Sequence, residues 1–153
     1  MTPPQGLNDD FRDVLSAFTR EHVQFLIVGA YALALHGVPR ATGDLDLFVR
    51  PTAENAARVW RALIDFGAPV AAAGVQAEDF AKPDMVYQIG LPPRRIDILT
   101  AISGVSFDDA WSTREEATID DLAFAFIGRD AFVRNKLATG RAKDLADVDR
   151  LKR

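Results

Sequence analysis

Two aspartates one residue apart, set inside an apolar strand pattern, constrain this chain more than any other feature. Asp44-Leu45-Asp46-Leu47-Phe48-Val49 alternates polar and aliphatic residues. At strand periodicity the two carboxylates project from one face, while Leu45, Leu47 and Val49 point into a core. Two like charges side by side are costly unless a cation or a shared proton offsets them, so the pattern hints at a metal site. The residues leading up to it are equally structured. Phe25 to Val28 reads as a short buried strand. Gly29 breaks it, and Ala30 to His36 are mostly helix formers or compact apolar residues. Gly37, Pro39 and Gly43 then mark a loop.

The chain has 153 residues and 48% hydrophobic composition, which is enough for one globular domain with a proper core. Residues 1–7 read as a loose N-terminus, and 129–153 as C-terminal helices of the same domain. There are no cysteines, which excludes disulfides and thiolate metal sites and suits a reducing cytoplasm, the expected location. The N-terminus lacks the basic and apolar regions of a signal peptide. Phe25 to Leu35, the longest apolar run, is too short to span a bilayer, so no membrane association is expected. The net charge of -4 argues against a general nucleic-acid coat, but it is unevenly spread. From Gly128 onward eight Lys/Arg face four Asp, a tail of +4 against -8 for the rest. A basic end facing an acidic site suits a polyanion held together with its metal.

Taken in order, Asn8 caps a helix carrying Asp9 and Asp10 in its first turn. Phe11, Val14, Leu15 and Phe18 form its single buried stripe. After Val49, Pro51 ends the strand and Thr52 starts a second helix. Ala56, Val59, Trp60, Leu63 and Ile64 make its apolar side, and Gly67 stops it. Trp60 is read as core rather than as a base-stacking residue. Ala68 to Lys82 has no regular period. Met85 to Ile89 and Arg95 to Thr100 read as strands around a Gly90–Pro93 turn. Ser106 to Trp111 reads as a helical turn, Glu115 to Ile119 as an edge strand and Leu122 to Ile127 as the last strand. Asp130 then caps a helix with Phe132, Val133 and Leu137, and Ala142 to Leu151 forms another. This order predicts an α/β (α+β) fold, a small mixed β-sheet flanked by helices.

In Arg95–Thr100, Asp97 sits between isoleucines on the face opposite Ile96 and Ile98. A carboxylate there needs a partner. Two readings stand: a metal shared with Asp44 and Asp46, or a salt bridge to Arg94, Arg95 or another cation. Three oxygen ligands suit hard Mg²⁺ rather than zinc. A pair of magnesium ions so held can activate an attacking oxygen and steady a leaving pyrophosphate. The Gly29-Ala30-Tyr31 turn lies at a helix start, where backbone N–H groups favour anions, and Arg40 lies on the loop leading to Asp44.

Gly29-Ala30 followed by Asp44-Leu45-Asp46 resembles the glycine-plus-DxD signature of the nucleotidyltransferase superfamily, whose founding relative is DNA polymerase beta. His36-Gly37 and Pro39-Arg40-Ala41-Thr42-Gly43 before the aspartates resemble a minimal bacterial branch. That branch is similar to the toxins of type IV toxin–antitoxin and abortive-infection systems. Asp97 matches the third carboxylate, and Lys136, Arg141, Asp144 and Asp147 are similar to the Lys…Arg…Asp motif that closes the site in those toxins. The resemblance covers Phe25 to Asp147.

It implies an enzyme in which Asp44 and Asp46 ligate Mg²⁺ and Asp97 ligates the catalytic metal or acts as base. The Gly29–Tyr31 turn holds the triphosphate of an NTP, with Arg40 nearby and Lys136 neutralising it. An NMP passes to RNA, a protein or a small molecule, with a cognate protein partner implied by the toxin setting. Ala30 stands where the signature often has Gly or Ser, and its methyl cannot bond a phosphate. The alternative is therefore an inactive binding module serving as antitoxin, sensor or partner subunit. A haloacid-dehalogenase reading of Asp44-Leu45-Asp46 fails on order, since there the strand precedes the aspartates. His36 reads as a packed histidine that could orient a carboxylate. Tyr31 reads as either a stacking or a core residue.

Overall fold

The structure, a computed structural model, describes residues 7–38 and 44–152. Six strands form one mixed sheet in the order β3-β4-β2-β1-β6-β5. In chain order the elements are α1 (Asp9–Arg20), β1 (Phe25–Val28), α2 (Gly29–Leu35), β2 (Asp44–Val49) and α3 (Ala53–Phe66). A short 3₁₀ turn follows at Ala77–Ala81, then β3 (Val86–Ile89), β4 (Arg95–Leu99) and α4 (Phe107–Ser112). The chain closes with β5 (Glu115–Ile119), β6 (Leu122–Phe126), α5 (Arg129–Thr139) and α6 (Ala142–Lys152). Among the described residues no helix is long and apolar enough to cross a membrane.

The helices form where local signals place them. The Asn8 side chain accepts a hydrogen bond from the Phe11 amide at 2.9 Å, satisfying a donor that α1 would otherwise leave open. Thr52 does the same for Asn55 at the start of α3, and Gly67, at φ +94°, closes that helix in the left-handed conformation. Phe11, Val14, Leu15 and Phe18 are all buried, as the helical stripe predicts. Phe18 meets Phe25 of β1 edge-on at 5.3 Å, so α1 covers the face carrying Phe25, Ile27, Leu45, Leu47, Ile96 and Ile98. The opposite face carries Phe48, which meets Phe107 of α4 at 5.1 Å.

Two details differ from expectation. The N-cap of α5 is Gly128, and Asp130 sits inside the first turn, where its charge favours the dipole without capping. Ile64 and Leu137, placed on apolar faces by periodicity, are 52% exposed, because each lies on the side of its helix away from the buried residues. The aperiodic stretch Ala68 to Lys82 is pinned by Phe80, fully buried and 6.2 Å from the Tyr87 ring.

A buried asparagine ties this framework together. Asn55, near the start of α3, accepts from the Gln24 amide at 2.8 Å and donates to the carbonyls of Gln24 and Arg50, each at 3.0 Å. It thus fixes the ends of β1 and β2 to the helix. Asn55→Ala leaves the Gln24 amide without its partner and removes one of the two donors to each carbonyl, and is expected to cost about 2 kcal/mol in urea denaturation.

Candidate active site

Strands β2 and β4 run parallel, with Asp44 opposite Arg95 and Asp46 opposite Asp97. Registered residues on neighbouring strands share a face, so the sheet itself brings the three carboxylates together. Their strand-mates Leu45, Leu47, Ile96 and Ile98 are buried on the other side, which locks this register. The row continues to β3, where Gln88 lies opposite Asp97 and is exposed at the sheet edge. Sequence reasoning did not single out Gln88. Only its period-two position within Val86–Ile89 carried the signal.

The salt-bridge reading of Asp97 finds its counterpart in the geometry. Arg95 binds Asp44 at 2.8 Å through its terminal nitrogen and reaches toward Asp97 Oδ2 at 3.4 Å. Its Nε stands 3.2 Å from Asp97 Oδ1, an ion-pair distance without the alignment of a hydrogen bond. Both of those atoms are buried and have no hydrogen-bond partner. Among the described residues no three His, Cys, Asp or Glu side chains stand ready-made as a metal cluster. The donor set nevertheless fits a hard divalent cation: oxygen atoms only, three carboxylates and an unsatisfied oxygen on Asp97.

Asp46 registers the strain of this crowding. Burial first, then the Asp97 charge, a hydrogen bond with Asp97 and the Asp44 charge push its carboxyl up to about 7, while Lys136 works in the opposite direction. Lys136 of α5 is therefore within electrostatic reach of the aspartates, although sequence places it ninety residues from Asp46. It lies over the Phe132 ring at 5.3 Å and 3.7 Å from Asp144 of α6. Asp144 also accepts from Thr139 and Arg141, each at 2.6 Å. Burial pushes the Asp144 carboxyl up, but those hydrogen bonds and the charges of Lys136 and Arg141 outweigh it and hold it below the usual range.

Gly29, the first residue of α2, closes the site at the end of β1. Its φ is +71°, and a Cβ placed there would overlap Asp46 Oδ2 and lie 3.1 Å from its Cγ. No side chain caps α2 at this point. Ala30 follows in the same turn. Tyr31 is buried, with its ring 5.6 Å from Phe11, so only its backbone belongs to the turn. His36 packs on Phe126 at 5.1 Å and bonds the Ile127 carbonyl at 2.8 Å, joining α2 to β6, and the carboxylate its Nδ1 approaches, at 3.8 Å, is that of Glu115. Arg40 lies outside the described residues. Two surface clefts, about 310 Å³ between α3 and the 3₁₀ turn and about 250 Å³ beside Arg50, include none of the aspartates.

No family profile matches the sequence, and no curated protein matches it. Solved structures do match. A Thermotoga maritima protein provisionally assigned as a nucleotidyltransferase superposes with a TM-score of 0.61 at 15% identity, over 92% of this chain and 88% of that one. The chain has the nucleotidyltransferase fold. The lincosamide antibiotic adenylyltransferase LnuA, solved with lincomycin bound, gives a TM-score of 0.57 at 16% identity, over 97% and 98% of the two chains. At such identities the likeness concerns architecture.

Two outcomes follow from this geometry. Because the Asp46 carboxyl rises from an ordinary 3.8 to about 7, the folded metal-free protein holds a proton that the unfolded chain has released. That stabilising term is present below about pH 4 and is lost as pH rises to 7, a decline on the order of 2–4 kcal/mol. Urea denaturation in EDTA at pH 5 and pH 8 reads this directly, and Asp46→Asn should flatten the slope. Gly29→Ala should cost about 2 kcal/mol or more, measured the same way, since both φ and Asp46 oppose a methyl.

Proposed function

We propose that the chain is a Mg²⁺-dependent nucleotidyltransferase that moves an NMP from an NTP to a hydroxyl-bearing acceptor. The observation that carries this reading is the meeting of Asp44, Asp46 and Asp97 on one face of adjacent parallel strands, with Gly29 pressed against Asp46. Asp44, Asp46 and Asp97 would hold Mg²⁺, which supplies neutralisation of phosphate charge and a more acidic acceptor hydroxyl. The Gly29–Ala30–Tyr31 turn would receive the triphosphate through its backbone N–H groups, with Arg40, four residues before Asp44 in the sequence, as a further contact. Lys136, already near Asp46, would oppose charge building on the leaving pyrophosphate. The acceptor oxygen bonds to the α-phosphorus, the bond to the β-phosphate oxygen breaks, and the hydroxyl proton goes to Asp97.

LnuA, an adenylyltransferase solved with lincomycin bound, supports a small molecule as acceptor over RNA or a protein. A toxin–antitoxin setting with a cognate protein partner, and a cytoplasmic location, rest on the sequence resemblance and composition. The second reading, a binding module without turnover, is favoured by one observation: Arg95 already neutralises Asp44 and Asp97.

Thermal unfolding with each of four NTPs, with and without Mg²⁺, separates the two. The transferase reading expects a Mg²⁺-dependent upshift for a preferred NTP, worth a few kcal/mol near a hundredfold excess over Kd, and its loss in Asp46→Asn. Labelled NMP transfer should then fall at least a hundredfold in Asp46→Asn and Asp97→Asn. A shift without any transfer to small-molecule, RNA or protein acceptors would favour the module.

A further inference from the structure

We infer that Arg95 is a built-in counter-cation that closes the aspartate cluster in the metal-free protein and must leave for a divalent ion to enter. The inference rests on the metal-binding reading proposed above and concerns how that site is gated.

Arg95 is placed by the same register that assembles the site, directly opposite Asp44 and two residues before Asp97. A guanidinium is a flat fork, well matched to one carboxylate at a time. Here it is stretched across two. It makes a sound contact with Asp44 at 2.8 Å, a long one with Asp97 Oδ2 at 3.4 Å, and a misaligned approach of Nε to Asp97 Oδ1 at 3.2 Å. Nε and Oδ1 are both buried and both lack a hydrogen-bond partner, a cost that a permanent structural salt bridge would be expected to have removed. The Arg95 side chain is also 30% exposed, so its head has a path to water that Asp97, at 10%, does not have.

Those facts fit a placeholder. The carboxylates need positive charge whether or not a metal is bound, and Arg95 supplies it imperfectly. A small hard cation satisfies oxygen ligands from several directions, whereas the fork cannot. Arg95 and a divalent ion would both draw on Asp44 and Asp97 oxygens, so their binding is mutually exclusive at close range and electrostatically opposed. Affinity for the ion is thereby reduced by the need to displace the guanidinium. Removing the guanidinium should destabilise the metal-free protein and at the same time tighten the site for metal. A residue serving only structure would lose stability without that gain.

The test uses full-length protein stripped with EDTA and then titrated with MgCl₂ alone by calorimetry, together with thermal midpoints with and without Mg²⁺. Arg95→Met is expected to unfold at lower temperature without metal and to bind Mg²⁺ at least about tenfold tighter than wild type. Arg95→Lys, which keeps the charge but cannot bridge, should fall between. In the wild type, the Arg95 side-chain Nε resonance, identified by its absence from the Arg95→Lys spectrum, should shift saturably with Mg²⁺. This second readout needs no folded Arg95→Met protein. Equal or weaker Mg²⁺ affinity in Arg95→Met, or a stationary Arg95 resonance while Mg²⁺ binds, overturns the gating role and leaves the metal site standing. Absence of Mg²⁺ binding in wild type and variants alike removes the metal site and the gate together.

Discussion

The parallel pairing of β2 with β4 is the constraint on which the rest depends. Neither strand alone makes a site, because Asp44 and Asp46 are like charges and Asp97 is a lone carboxylate in an apolar strand. Their register stacks Asp46 against Asp97 and Asp44 against Arg95. What holds the register lies on the other face, where Leu45, Leu47, Ile96 and Ile98 are buried beneath the helices. Slipping either strand by one residue would turn aliphatics to solvent and carboxylates into the core. Hydrophobic burial therefore holds in place an electrostatic arrangement that is unfavourable by itself, as the raised Asp46 carboxyl records.

The parts of this arrangement legible in the sequence were those with a local cause. Period-two alternation located β2 and β4, and polar caps at Asn8 and Thr52 located the starts of α1 and α3. The three aspartates were visible for the same reason, since a carboxylate in an apolar strand is a local anomaly. What sequence could not carry was relative position. The edge-on fit of Gly29 to Asp46 depends on the antiparallel β1–β2 register, and the approach of Lys136 depends on how α5 returns to the sheet. Gln88 was silent because nothing about one glutamine in a short strand tells which strand it will face.

Asp97 shows how one of two competing readings of a residue takes form in three dimensions. A salt bridge and a cation site compete for one carboxylate, and the sequence offered no way to choose. The structure shows the ion pair, with Arg95 reaching Asp44 and Asp97 together, and the proposed cation would have to take its place. The fold likeness to solved nucleotidyltransferases concerns the framework, and the chemistry turns on these few atoms.

The C-terminal helices carry a consequence of their own. Their surplus of positive charge suggests an arm reaching for a polyanion, yet much of it already has a partner at the surface. Arg141 and Lys136 converge on Asp144, Arg134 reaches Asp109, Arg150 lies beside Asp147 and Arg129 binds the Leu151 carbonyl. Four of these five contacts stay within the C-terminal segment, fastening α5 and α6 to each other, and Arg134 alone ties them to α4. Ionic strength should therefore be felt first in how firmly α5 and α6 hold to each other, before it is felt in any attraction to a long anionic chain.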